Sequence, residues 1–287
     1  MLAGWRQARN ERRAARLARA ARPWDRQRLL LLFGGLVTAA VLMVAGLGFA
    51  VWYAVKGTTS AEQHGSELPA ATSSASTKAA SSPDVRDEIA AEPMLAVDRS
   101  AAFTPDITSR QAGSIIVPAA TIDLGEADVP TGFPHTPKGA VGQLAAIEKA
   151  VLESMSLPTA RAIHQAWVAP AGPSFENWEL TRNVQSFLAS AKQSGTEKDI
   201  TTLVSVTPAA ALVKGTDGPD WTVACVLVDV RAAISVESRM GYGWCQRMQW
   251  IDGRWMIAAG VVPAAAPSVW PGSALAVDAG WLTWKQK

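Results

Sequence analysis

The chain has 287 residues, 48% of them apolar, with 27 basic and 25 acidic side chains and a net charge of +2. That small net hides a split: residues 1–28 hold nine arginines and two acids, which leaves 18 basic against 23 acidic groups in the remainder. An acidic remainder offers no footprint for nucleic-acid phosphates, which require clustered Lys and Arg.

The first 28 residues read as an Arg-rich cytoplasmic tail. Ala, Arg and Leu dominate it and no proline comes before Pro23, a composition that readily becomes helical. Arg6, Arg9, Arg13 and Arg16 then form one stripe, with Arg12, Arg19 and Arg22 alongside. Such a stripe suits anionic lipid head groups at about 1 kcal/mol per basic side chain. An acidic cytoplasmic partner or a nucleic acid is the sharper alternative.

Leu29 to Val55 is a run of 27 residues without a charge, held between Arg28 and Lys56. As a helix it is about 40 Å long, more than the roughly 30 Å hydrocarbon core, so a tilted transmembrane helix is predicted. The arginine excess marks the cytoplasmic side and places everything after Lys56 outside. A cleaved signal peptide has an apolar region of only roughly 7 to 15 residues, so this run reads as a retained anchor. Trp52 and Tyr53 fit an outer aromatic belt and Trp24 an inner one. Gly46 and Ala50 have the spacing that lets two such helices approach.

From residue 56 to 130 the chain is crowded with Ala, Ser, Thr and Pro and reads as a disordered tether, too poor in large apolar groups to offset the entropy of ordering. Its root-mean-square reach is roughly 50 Å. Ser114–Val117 and Thr121–Leu124 are candidate short strands for a partner or an exposed sheet edge.

Residues 131–287 are predicted to be one exterior α+β domain, and they hold nine of the twelve tryptophans. Thr136 is a candidate N-cap with Pro137 at the first helical position. Ala140, Leu144, Ile147, Val151 and Met155 then share one face of a helix of about 18 residues. Pro158 opens a second helix to Val168, and Ser174 to Ala191 a third, with Phe175, Trp178, Val184, Phe187, Leu188 and Ala191 inward. After Ile200 the texture becomes strand-like, and Asp252-Gly253 between apolar-rich segments signals a two-residue hairpin. The expected architecture is three helices packed on a curved four-stranded antiparallel sheet.

In the Trp-rich C-terminal tail, residues 263–287, Pro271 and Ser273 are positioned to start a short helix to Ala279. Trp270, Trp281 and Trp284 either dock on the sheet, where large aromatics gain most by burial, or line a surface for a partner or glycan. Cys225 and Cys245 form an even pair outside the membrane, which favours a disulfide contributing roughly 3 kcal/mol. Two buried thiols are the alternative, because a hairpin turned through Glu237 to Met240 sets Cys225 nearer Trp250 than Cys245, and a bulge or wide loop is then needed to join the sulfurs.

A short basic tail, one span, a tether, and three helices followed by four strands with a W-x-D-G-x-W hairpin (Trp250, Asp252, Gly253, Trp255) resemble the bitopic inner-membrane assembly subunit of type IV secretion and conjugation channels. The Ala/Arg-rich texture resembles that of actinobacterial chains. The resemblance implies a cone-shaped exterior domain like nuclear transport factor 2, a plasma-membrane location, secretion-apparatus proteins as partners and the option of homo-oligomers. It transfers no site residues.

Catalytic chemistry is not legible. His64, His135 and His164 lack metal-ligand spacing, and no Ser nucleophile elbow, Walker loop or dinucleotide fingerprint occurs. "GYGWC" has two glycines without the strand-loop-helix setting of a phosphate loop. His164 reads as a half-buried surface residue. Asp229 and Arg231 are candidates for the concave face, Glu237 and Arg239 for a solvated turn. No cofactor and no metal is expected. The sequence reads as a non-enzymatic, single-pass membrane assembly component working through protein contacts. The alternatives are a stand-alone cell-wall binding protein and, less supported, a hydrolase or isomerase built in the cone around Asp229.

Overall fold

The computed structural model describes residues 83–106, 108, 110–234 and 236–287. The apolar run 29–55 and the seven arginines from Arg6 to Arg22 lie outside them. Among the described residues no helix is long and apolar enough to cross a membrane.

Five α-helices are present in this part: α1 (Pro83–Ala91), α2 (Pro137–Ser154), α3 (Leu157–Trp167), α4 (Glu179–Ser190) and α5 (Ala274–Asp278). Helix α2 starts where the sequence signals place it, with the Thr136 hydroxyl accepting from the Gly139 N–H at 3.1 Å and Pro137 in the first turn. Helix α4 begins five residues later than expected, because Ser174 to Trp178 form turns in which the Asn177 and Trp178 N–H groups share the Ser174 carbonyl.

The expected four-stranded antiparallel sheet is corrected: the sheet has six strands and is mixed. Its strands are β1 (Ser114–Val117), β2 (Leu203–Thr216), β3 (Trp221–Ala233), β4 (Glu237–Ile251), β5 (Arg254–Ile257) and β6 (Leu282–Gln286), in the order β1-β6-β2-β3-β4-β5. The two added strands come from the chain ends of the domain. Leu282 and Thr283 pair with β2 just beyond a bulge at Pro208, and β1 runs parallel to β6 at the edge. A proline lacks the N–H a continuous ladder needs, so the bulge is where β2 tolerates it. Asp252 and Gly253 both have positive φ, as the predicted two-residue hairpin requires.

Two cores flank the sheet. On one face α2, α3 and α4 cover Ala224, Val226, Val228, Trp244 and Met248. On the other, Trp221, Val223, Cys225, Leu227 and Cys245 are covered by Ile89, Ala90, Met94, Val97 and Ala101 from the N-terminal side and by Val269, Ala276 and Trp281 from the C-terminal tail. Residues 83–130, assigned from composition to the tether, therefore carry α1, two 3-10 turns and β1 and pack on the domain. Their own apolar groups are few, but the sheet supplies a ready-made apolar surface for them.

Helix α1 is clasped at several points. Arg86 pairs with Asp217 and Asp87 with the buried Arg247, both guanidiniums lying over Trp221. The Lys214 ammonium donates to the Ala90 and Glu92 carbonyls, capping the helix end. In the tail, Ser273 caps α5, the helix expected there. The tail backbone lies directly on Gly241 and Gly243, where an added Cβ falls 1.9 Å from the Val269 carbonyl oxygen and 2.7 Å from that of Pro267. Those two glycines are a floor for the tail, which explains the "GYGWC" sequence without any phosphate.

Cys225 and Cys245 are joined in a disulfide. The β3–β4 turn lies at 234–236 rather than 237–240, so unbroken register from Ala233↔Glu237 to Trp221↔Gln249 sets the two cysteines opposite one another, Cα atoms 4.0 Å apart, with no bulge. Gly243 and Arg247 direct backbone groups away from β3, to Ser268 and Ala258, so the odd positions of β4 face β3 in the closer, non-hydrogen-bonded pairing.

Replacing both cysteines by alanine is expected to lower stability to urea by about 2–4 kcal/mol. An unchanged unfolding midpoint contradicts a stapling role. Gly241→Val is expected to lift the tail, seen as new proteolytic cleavage within 264–281 while β3 stays intact; unaltered digestion argues against the close approach.

Candidate functional site

Between the last turn of α2, the length of α4 and the β3–β4 hairpin lies a cavity of about 460 Å³. Leu152, Met155, Phe187, Val230 and Met240 form apolar walls, and Asn183, Ser186 and Ser190 place one polar edge along α4. Phe103, Ile234 and Val236 stand at the mouth, each at least 46% exposed.

Tyr242 closes the polar end. Its hydroxyl donates to Glu179 Oε1 and accepts from Asn183 Nδ2, both at 2.8 Å. Burial, and then the charges of Glu179 and Glu148, push the phenol well above its ordinary range. Glu148 lies fully buried on α2, and neither of its carboxyl oxygens has a hydrogen-bond partner. Burial first, then the charge of Glu179, holds its carboxyl well above the usual carboxylate range. Of these groups only the phenol lines the apolar cavity; Glu179 reaches it through the Tyr242 hydroxyl, and Glu148 lies in the core without lining it.

The residues singled out from sequence lie elsewhere. Asp229 is not in the cavity: its carboxylate accepts from Arg239 Nε and Nη2 at 2.8 Å each, with Arg231 at 3.4 Å. Arg239 in turn lies 4.4 Å from the Trp270 ring. Glu237 and Arg239 belong to β4 and not to a turn. Trp281 is 1% exposed and donates its N–H to the Pro267 carbonyl, while Trp270 and Trp284 are half-buried against their own domain. His164 is half-buried, hydrogen-bonded through Nε2 to the Pro173 carbonyl oxygen at 2.7 Å. His135 pairs with Asp220 and stacks on Trp250 at 4.3 Å, and Trp255 donates to the Pro134 carbonyl. The W-x-D-G-x-W hairpin thus clamps the entry to α2. Among the described residues no group of three potential metal ligands converges.

Sequence reasoning missed Glu148, Glu179, Asn183 and Tyr242. One signal was present: Glu148 falls between Leu144 and Leu152 on the face predicted to be apolar, and a charge there is out of pattern.

No family model matches the chain, and no curated protein and no solved structure shows significant similarity to it.

The pH dependence follows from Glu148. Its pKa is raised in the folded state, so below the ordinary carboxyl pKa both states hold the proton and no penalty arises. As pH climbs through that value the unfolded chain releases its proton first, and stability falls. Glu148→Gln is expected to flatten this decline and to raise stability at pH 7 by about 1–3 kcal/mol. A variant less stable than the parent at pH 7 in urea titrations contradicts the assignment.

Proposed function

We propose that the chain is a non-enzymatic, membrane-anchored assembly component of a conjugative or type IV secretion-like transfer apparatus, whose exterior domain acts through protein contacts. The charge-free run 29–55 behind nine arginines supports anchoring with the domain outside. A disulfide between Cys225 and Cys245 fits that oxidising side.

The observation that carries the docking role is a cluster of exposed apolar groups at one end of the domain. Phe103 is 46% exposed, Ile234 48%, Val236 79% and Leu203, paired opposite Ala233 beside the hairpin turn, 69%. Monomeric domains rarely leave so contiguous an apolar rim uncovered, and apolar and aromatic anchors dominate protein interfaces. Glycan binding through the tail tryptophans has less support, because Trp281 is inside the fold.

The test is a photo-crosslinking residue at Val236 in cells carrying out transfer. The expected result is an adduct with another component of the apparatus, and a drop in transfer of at least tenfold on combining Ile234→Asp with Val236→Asp at unchanged melting temperature. Full transfer by that variant, with no adduct, overturns the proposal.

A further inference from the structure

Inside the rim, the cavity has a chemistry that protein docking does not use. We propose that it holds a fatty-acid-like carboxylate, an unbranched apolar chain carrying one anionic head, with the chain between α2, α4 and the β3–β4 hairpin and the head at Arg99. The inference does not rest on the docking role.

Size and walls set the body of the ligand. About 460 Å³ lies within the range of small-molecule pockets, roughly 300–1,000 Å³. Leu152 and Met155 at the end of α2, Phe187 on α4, and Val230 and Met240 on the hairpin strands give a chain apolar contact from three elements. The Tyr242 hydroxyl gives its proton to Glu179 and accepts one from Asn183, so the inner phenol is satisfied within the protein. The second amide N–H of Asn183 and the hydroxyls of Ser186 and Ser190 are neutral donors along one edge, compatible with an acceptor-headed ligand.

Charge sets the head. Among the described residues the charged side chains in the lining are Arg99 and Arg239, and no acid joins them. The two arginines come from neighbouring elements, because the 3-10 turn Arg99–Ala102 packs against β4. Arg239 is engaged: Asp229 takes its Nε and Nη2, and the exposed Glu237 lies two residues away. Arg99 differs. Among the described residues no acid forms an ion pair with it, and Asp98 beside it accepts from the Ser100 N–H at 2.8 Å. A guanidinium without a counter-ion at the edge of an apolar cavity offers a carboxylate a two-pronged, charge-assisted contact, offers an alcohol only a weaker one, and repels an ammonium. Arg99 is exposed and opens the turn that ends at Phe103, at the mouth, so the head meets solvent and the chain points inward.

The experiment titrates residues 77–287, which carry both cores within themselves, with decanoate, decanol and decylammonium below their micellar concentrations, read by calorimetry. The expected result is saturable one-to-one binding of decanoate at least tenfold tighter than either analogue, the effect of one charge-assisted hydrogen bond. Arg99→Gln, an exposed change that leaves circular dichroism unaltered, cuts that preference at least fivefold. Ser186→Trp, which fills the cavity from an exposed helix position, weakens decanoate and decanol alike. Non-saturable binding, an equal or better affinity for decanol or decylammonium, a preference undiminished by Arg99→Gln, affinities untouched by Ser186→Trp, or attachment to phosphatidylglycerol vesicles without binding of decanoate overturns the proposal.

Discussion

Every side chain from Trp221 to Val228 is at most 1% exposed, so the centre of the sheet needs a covering layer on each side. The three helices supply one layer. The other is assembled from the two ends of the domain, the segment around α1 and the tail that ends in β6, and neither has a core of its own. Much else follows from this requirement. Gly241 and Gly243 lack side chains so that the tail backbone can lie flat, Gly215 leaves room for Ile89, and Arg86, Asp87 and Lys214 hold α1 in place. The disulfide sits beneath this second layer, joining the two central strands at Cα atoms 4.0 Å apart.

The helix-side core is less uniform. It is aromatic around Trp167, Trp178 and Trp244, yet it contains a buried carboxyl with no partner and a second acid reached through a phenol. Burying such groups lowers stability, and of them only Tyr242 lines the apolar cavity. The rim around the same opening is apolar and exposed. Full burial is thus concentrated at the sheet centre, and exposed apolar groups beside the β3–β4 turn.

What was legible in the sequence was local. Thr136 with Pro137, Ser273 with Ala279, and the Asp252-Gly253 turn each fix an element through neighbours in the chain, and all three are found. What was not legible depends on distant partners. Strand β6 is five residues with weak alternation and exists because β2 and β1 flank it; Tyr242 and Glu179 meet across 63 positions. The cysteine register was misjudged because the turn was placed on charged residues 237–240, whereas Ile234 and Val236 occupy it in the open. One global clue was available. The run WTVACVLV has almost no polar alternation, the mark of a strand covered on both faces, and it implied a second layer that composition alone hid in the tether.

The two-layer seal is tested most directly by native-state hydrogen exchange on residues 77–287. If the second layer is integral to the fold, backbone amides of 83–91 and those hydrogen-bonded within 264–281 are protected and exchange with the same free energy as β3, in one global unfolding step. Exchange of 83–91 at the rate of a free chain, with β3 still fully protected, contradicts the account.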